Sequence, residues 1–121
     1  MAGLLAVQMT ASCSDFDPAD RRLARQDEYA LHNQHCTLSE GRLVATGDLV
    51  NHSGRSVGFA VIVRFLDGDV DLGGPQTVTH VRPLDGGETW RWEVGLPLNS
   101  TPAEPRCNVI QVALGNNVAP R

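Results

Sequence analysis

Lysine is absent from this sequence: all ten basic residues are arginine, and they stand against 14 acidic residues, for a formal net charge of −4. A nucleic-acid binder neutralises phosphates with clustered positive charge, so this balance argues against a general nucleic-acid-binding protein. Long hydrophobic runs are also scarce, because the apolar stretch at residues 1–12 is shorter than the roughly 20 residues that cross a bilayer. Attachment to a membrane would therefore use a lipid anchor rather than a spanning helix.

Recognisable catalytic motifs are absent as well. The sequence has no Gly-x-Ser-x-Gly, no glycine loop that would cradle a phosphate, and no histidine in a recognisable relation to a serine and a carboxylate. We therefore expect a protein that is not an enzyme and that carries no cofactor.

The composition is that of one small folded domain. A chain of 121 residues fits a single domain, and 41% hydrophobic with 20% charged residues is enough to form a core and argues against disorder. The 12 glycines and 7 prolines indicate a chain rich in turns.

Three cysteines make an odd count, and the first of them has a distinctive context. Cys13 follows the small residues Thr10, Ala11 and Ser12 at the end of the apolar stretch. This ending resembles the bacterial lipobox, in which the cysteine is lipidated and becomes the mature N-terminus. The resemblance implies a partial leader over residues 1–12 and an extracytoplasmic protein anchored to the cell membrane at Cys13, or a secreted protein if Cys13 is not lipidated. An ordinary N-terminus with a free thiol is the alternative.

The rest of the chain divides by composition into three parts. Residues 13–27 are polar and charged without a wide apolar stripe, which predicts a tether. Residues 28–116 carry the strand patterns described next, and residues 117–121 form a short C-terminal tail.

Alternating apolar side chains predict six short strands. In the first, Tyr29 and Leu31 lead to Cys36, and polar neighbours favour a position at the edge of a sheet. One face of the second strand consists of Leu43, Ala45, Gly47, Leu49 and Asn51. One face of the third consists of Val57, Phe59, Val61, Val63 and Phe65.

Three further strands follow over residues 77–81, 89–96 and 107–114. In the last of them alternation places Cys107, Val109, Gln111 and Ala113 on one face. Short strands separated by turn signals predict an all-β fold, an immunoglobulin-like antiparallel β-sandwich of about six to seven strands.

Cys36 and Cys107 are candidates for a disulfide. If every connection reverses the chain, the loops after the first, third and fifth strands lie at one end of the sandwich, and both cysteines belong there. An oxidising compartment would let them close a loop of about 70 residues, which stabilises a domain by roughly 4 kcal/mol. Two separate buried thiols in a cytosolic protein are the alternative.

The segment from Tyr29 to Leu114 resembles the FxLYD domains of bacterial exported lipoproteins. Residues 45–51 match a strand and turn of that family, residues 61–67 match the strand that names it, and residues 84–90 match the turn into the next strand. Cys36 and Cys107 also stand where the actinobacterial members have cysteines. The resemblance implies a β-sandwich in an exported, anchored setting, with no shared catalytic site.

Two groups of residues suggest metal ligands. His32 and His35 are three positions apart, so in a regular strand their imidazoles point to opposite faces and cannot chelate one ion together. Asp67, Asp69 and Asp71 resemble the opening of a calcium loop, but the glycine and glutamate that an EF-hand requires are missing, which favours a solvated acidic hairpin.

Trp90 and Trp92 alternate onto one face of the fifth strand. Exposed, they would form an interaction surface for a sugar or a protein partner. The chain has only 2 tryptophans, 1 tyrosine and 3 phenylalanines, however, and a sandwich needs several aromatic side chains inside, which favours packing in the core.

The pattern as a whole predicts a non-catalytic cell-envelope binding or protein-interaction module that presents loops or an edge strand to a protein partner. A small envelope metal-binding protein or enzyme, using the two histidines or the aspartate hairpin, is one alternative. A structural accessory domain of a larger envelope assembly is the other.

Overall fold

The chain folds as two antiparallel β-sheets packed face to face. The structure is a computed structural model, and it describes residues 22–115. The strands in that range are β1 (Arg22–Leu23), β2 (Tyr29–Ser39), β3 (Arg42–Asn51), β4 (Gly58–Asp67), β5 (Val70–Asp71), β6 (Gln76–Thr79), β7 (Thr89–Pro97) and β8 (Pro105–Gly115). One sheet has the order β1-β8-β4, with β5 and β6 one after the other along the far edge of β4, and the other has the order β2-β3-β7. The predicted all-β antiparallel sandwich is confirmed.

Strand β3 alternates strictly between the core and the outer face of its sheet. Leu43, Ala45, Gly47 and Leu49 are buried, and the alternate residues Val44, Thr46 and Asp48 are partly exposed. The face predicted for this strand is confirmed, because a regular strand in the middle of a three-stranded sheet has one covered and one solvated side.

Strand β4 lies between other strands of the larger sheet and is buried on both faces. Its core side, together with the residue just before it, consists of Val57, Phe59, Val61, Val63 and Phe65, all fully buried as predicted. On the opposite side Ala60 and Ile62 pack with Ala113 of β8 in a second small cluster.

A β-bulge in β2 changes which of its side chains face the core. Asn33 and Gln34 together lie opposite Gly47, and Asn33 takes a positive φ of 55°. As a result Leu31 and Cys36 both face the core, although a regular strand would place them on opposite sides.

A second irregularity lies in β8, whose register against β4 shifts after Val109. The core face of β8 therefore consists of Cys107, Val109, Val112 and Leu114. Gln111 and Ala113 lie on the outer face, so the prediction that they share a face with Cys107 was wrong. The reason is that a bulge moves every later side chain to the opposite face.

The folded domain already includes residues 22–28. Strand β1 pairs with the end of β8, and the Ala24 N–H extends the pairing by donating to the Val112 carbonyl at 2.8 Å. The chain then crosses to the other sheet, where β2 begins at Tyr29. The polar composition of residues 13–27 predicts a tether, whereas the last part of that segment belongs to the sandwich.

The loops gather at two opposite ends. We call one the hairpin end; it holds the turns 40–41 and 68–69 and the loop 98–104, joined by bonds from Leu98 N–H to the Gly41 carbonyl and from Gly68 N–H to the Glu104 carbonyl. The crossover end holds residues 24–28, 52–57 and 80–88. Within residues 22–115 no helix is long and apolar enough to cross a membrane.

Candidate functional site

The predicted disulfide between Cys36 and Cys107 is present and joins the two sheets. Its Cα atoms are 5.5 Å apart, and it lies toward the hairpin end, where the chain reversals place both residues. Cys36 is exposed and Cys107 is half-buried. The bulge in β2 turns Cys36 toward the space between the sheets, and Cys107 faces the same space beside its register partner Phe65.

The bond lies on what we call the open side of the sandwich: strand β2 and residues 105–111 of β8. Among the described strands, β2 pairs only with β3, and the contact of β8 with the segment of β1 is limited to Val112, Ala113 and Leu114. No described strand covers the rest of this side. Within residues 22–115 this side therefore presents backbone groups of two strands that no strand pairs, bridged by the disulfide.

A small cavity of about 90 Å³ lies beside the disulfide. It is lined by Gln34, His35, Cys36, Ala45, Thr46, Val63, Trp92, Cys107 and Val109. The indole of Trp92, only 1% exposed, contributes one wall, and its Nε1 has no hydrogen-bond partner among the described residues. Gly47 makes room for this ring, because a Cβ there would come within 2.6 Å of the indole.

The two tryptophans have different surroundings. Trp92 is a core residue, so it is not part of an interaction surface. Trp90 is half-buried and packs against the core, and its ring and that of His80 form a T-shaped pair with the centroids 5.0 Å apart. The two indoles therefore do not form an exposed pair.

The prediction that His32 and His35 face opposite sides was wrong, because the bulge between them inserts an extra residue. Their register partners Asp48 and Thr46 both lie on the outer face of the three-stranded sheet. The Asp48 carboxylate accepts a bond from Asn33 Nδ2 at 2.9 Å and pairs with a guanidinium of β7. Within residues 22–115 no three His, Cys, Asp or Glu side chains come close enough together to hold a metal ion.

Each aspartate of the acidic hairpin has its own partner. Asp67 accepts the Glu104 N–H at 2.8 Å, which ties the turn to the loop before β8. In addition, Asp69 pairs with Arg106 and Asp71 pairs with Arg64. The three carboxylates therefore serve separate contacts and do not converge on one point.

At the crossover end a buried carboxylate organises the chain between the sheets. Glu28, with a side chain 5% exposed, accepts two bonds from the Arg22 guanidinium at 2.7 and 2.8 Å and one from the Arg25 N–H at 2.8 Å. Arg55 approaches the same carboxylate at 3.8 Å. The hydrogen bonds from Arg22 outweigh the opposing effect of burial and lower the pKa of Glu28 to about 2.

Asn51 is the second buried polar residue of this end. Its Nδ2 donates to the carbonyls of Arg55 and Leu84, both at 2.8 Å, and its Oδ1 accepts the Ser53 N–H at 2.8 Å. The sequence places Asn51 at the end of a strand, and the structure shows that its side chain joins two loops. Sequence reasoning missed Glu28, because nothing local indicates that a glutamate at the start of a strand is buried.

The hairpin end carries two open clefts, of about 360 and 410 Å³, on either side of the segment 98–100. They are lined by leucines, hydroxyl groups and backbone of the turns, and they lie at the opposite end of the sandwich from β1.

Cys13, the predicted lipidation site, lies outside the described residues, as do the predicted leader and the tail 117–121. Comparison of the chain with protein-family models, with curated proteins and with solved structures finds no match.

Proposed function

We propose that this chain is a non-catalytic interaction module of the cell envelope, exported and lipid-anchored at Cys13, that binds an extended segment of a partner protein along the edge of β2. The observation that carries the proposal is the open edge of this strand. β2 is 11 residues long, is exposed from His32 to Ser39, and pairs on one side only among the strands of residues 22–115.

The backbone of this edge is ready to pair. The Asn51 N–H of β3 donates to the Glu88 carbonyl, next to the start of β7. From there the backbone groups of successive β3 residues point alternately toward β2 and toward β7. By that alternation the N–H and C=O groups of Cys36 and Leu38 point away from β3. An added strand would take its main-chain hydrogen bonds from these groups.

The edge lacks the usual features that prevent pairing. Soluble domains protect edge strands with proline, lysine or bulges. β2 contains neither proline nor lysine, and its bulge lies at Asn33 and Gln34, so the stretch after it is regular. Leu38 and Ile110, 41% and 38% exposed, add apolar surface on the same side of the sandwich.

The proposed anchor would orient this edge. Nine residue steps separate Cys13 from Arg22, a span of at most about 30 Å for an extended chain. Because β2 runs from the crossover end to the hairpin end, its regular half would then face away from the membrane. A disulfide between Cys36 and Cys107 fits an oxidising, extracytoplasmic location, and the sequence resemblance to exported FxLYD lipoproteins agrees with it.

A photo-cross-linking amino acid at Thr37 tests the binding edge in the envelope of the native host. We expect one discrete protein adduct, lost when Leu38→Pro removes the outward N–H and retained in Leu38→Ala, which shortens the same side chain but keeps that N–H. No adduct at Thr37, or an equal adduct from the opposite edge at Thr89, would contradict the proposal. The anchor is tested separately: Cys13→Ser should release the protein from the membrane fraction.

One observation supports the alternative of an envelope metal-binding protein. The bulge brings His32 and His35 onto one face, where two imidazoles could share a Zn²⁺ or Cu²⁺ ion. Titration of either ion should then raise the melting temperature of the wild type but not of His35→Ala. Equal responses of the two proteins would exclude this site.

A further inference from the structure

The disulfide occupies an unusually accessible place for a bond that joins two sheets. In sandwich domains of the immunoglobulin type the inter-sheet disulfide lies deep between the sheets against a buried tryptophan. Here the bond likewise lines a cavity with Trp92, but it joins an edge strand to the uncovered half of β8. A thiolate can therefore approach it from the open side without first separating the sheets.

The two sulfur atoms differ in their surroundings. Cys36 is exposed and lies on a strand with a free edge, whereas Cys107 is half-buried and faces Phe65 in the register of the larger sheet. A nucleophile must approach one sulfur roughly in line with the bond that breaks. Cys36 is the more exposed of the two residues, so the nucleophile reaches its sulfur, which leaves Cys107 as the leaving group.

We propose that Cys36–Cys107 is a thiol–disulfide exchange site that reacts with a dithiol in the native fold. One thiolate of the dithiol attacks Cys36 Sγ; the disulfide bond breaks, and its electron pair leaves on Cys107 Sγ, which takes a proton from water. The first step leaves a mixed disulfide between Cys36 and one sulfur of the dithiol. The second thiolate of the dithiol attacks that dithiol sulfur and releases Cys36 as a thiolate, which is protonated in turn. The dithiol is oxidised to a disulfide by two electrons, and the protein gains two thiols.

The fold accommodates the reduced form. β2 keeps its pairing with β3 along its length, and the buried core residues lie mainly on β3 and β4 and at the end of β8 away from the disulfide. Reduction removes the link between β2 and β8 but no strand pairing. The open side can therefore exist in a linked and an unlinked form.

The rate of reduction by dithiothreitol tests accessibility. We use the full chain with Cys13→Ser, so that only two cysteines are present, and follow thiol alkylation by mass spectrometry. The rate in native buffer should lie within about tenfold of the rate in urea, where the bond is fully exposed. A native rate more than about tenfold slower would overturn the proposal, because reduction would then require unfolding.

Two further readouts separate exchange in the native fold from reduction after unfolding. A monothiol such as glutathione, quenched with acid, should be found mainly on Cys36; an adduct mainly on Cys107 would overturn the assigned order of attack. The β-sheet circular dichroism should persist while Trp92 fluorescence rises, because a nearby disulfide quenches an indole. Loss of the β-sheet signal together with reduction would also overturn the proposal.

Discussion

Replacement of Glu28 by glutamine should destabilise the domain strongly near neutral pH. The substitution keeps the size and shape of the side chain but removes its charge. Arg22, Arg25 and Arg55 would then surround a neutral amide in a site where the side chain is only 5% exposed. Glutamine keeps one acceptor oxygen, but its NH2 group would replace the second carboxylate oxygen and face a guanidinium N–H instead of accepting from it.

The size of the effect follows from the pKa. Hydrogen bonds from Arg22, with smaller contributions from Arg25, lower the pKa of Glu28 from its ordinary 4.5 to about 2. Each tenfold change in proton affinity on folding corresponds to about 1.4 kcal/mol, so the ionised carboxylate contributes about 3 kcal/mol to the free energy of unfolding near pH 7. That is a large part of the 5–15 kcal/mol, roughly, that stabilise an ordinary domain.

The pH dependence gives the sign. Because folding lowers this pKa, the contribution of Glu28 is fully present above about pH 4.5 and is lost as the pH falls through about 2. Urea unfolding of the wild type and of Glu28→Gln across this range measures it. We expect the difference between the two proteins to be largest near neutral pH and to shrink toward zero in acid.

Glu88→Gln is the matched control. Glu88 accepts two bonds from Arg82, and these hydrogen bonds, helped by the Asp85 N–H, lower the pKa of Glu88 to about 2 as well. The Glu88 side chain is 33% exposed, however, so water solvates and screens this ion pair. Glu88→Gln should therefore lower the free energy of unfolding by less than Glu28→Gln does. A difference between wild type and Glu28→Gln that stays constant from neutral to acid pH would refute the reasoning, since the loss would then come from packing and not from charge.

Four other variants test the core, the loops and the disulfide by urea unfolding. Gly47→Ala should cost about 2 kcal/mol or more, because the new Cβ meets the Trp92 indole. Gly54→Ala meets no atom and should cost only about 1 kcal/mol through its positive φ; equal losses would contradict the packing argument. Asn51→Ala removes three hydrogen bonds and leaves the Ser53 N–H without its side-chain acceptor, so it should cost about 3 kcal/mol. Changing both disulfide cysteines to serine should cost up to about 4 kcal/mol; an unchanged urea midpoint would contradict a structural contribution of the bond.

Regular strands could be predicted from the sequence in detail. On β3 and β4 the alternation of side chains directly reflects burial, so the faces containing Leu43 and Phe59 were assigned correctly. The disulfide also followed from the sequence, because chain reversal places Cys36 and Cys107 at the same end whatever the details of pairing. Packing of Trp92 in the core followed from the scarcity of aromatic residues.

The bulges could not be predicted in this way. A bulge is a relation between two strands: Asn33 and Gln34 form one only because Gly47 stands opposite them. The shared face of His32 and His35 depends on it, and so does the access to the disulfide on which the exchange proposal rests. The residues of β2 taken alone do not show where the bulge lies, so they do not show either of these consequences.

The sequence by itself determined the class of this protein: an all-β sandwich, its main core strands, and the end at which its two paired cysteines meet. Only the tertiary structure decided which face each side chain of β2 and β8 occupies and that Glu28 is buried among arginines. The physical reason is that alternation is a local property of the chain, whereas register and the burial of a charge depend on the strands and loops packed against it.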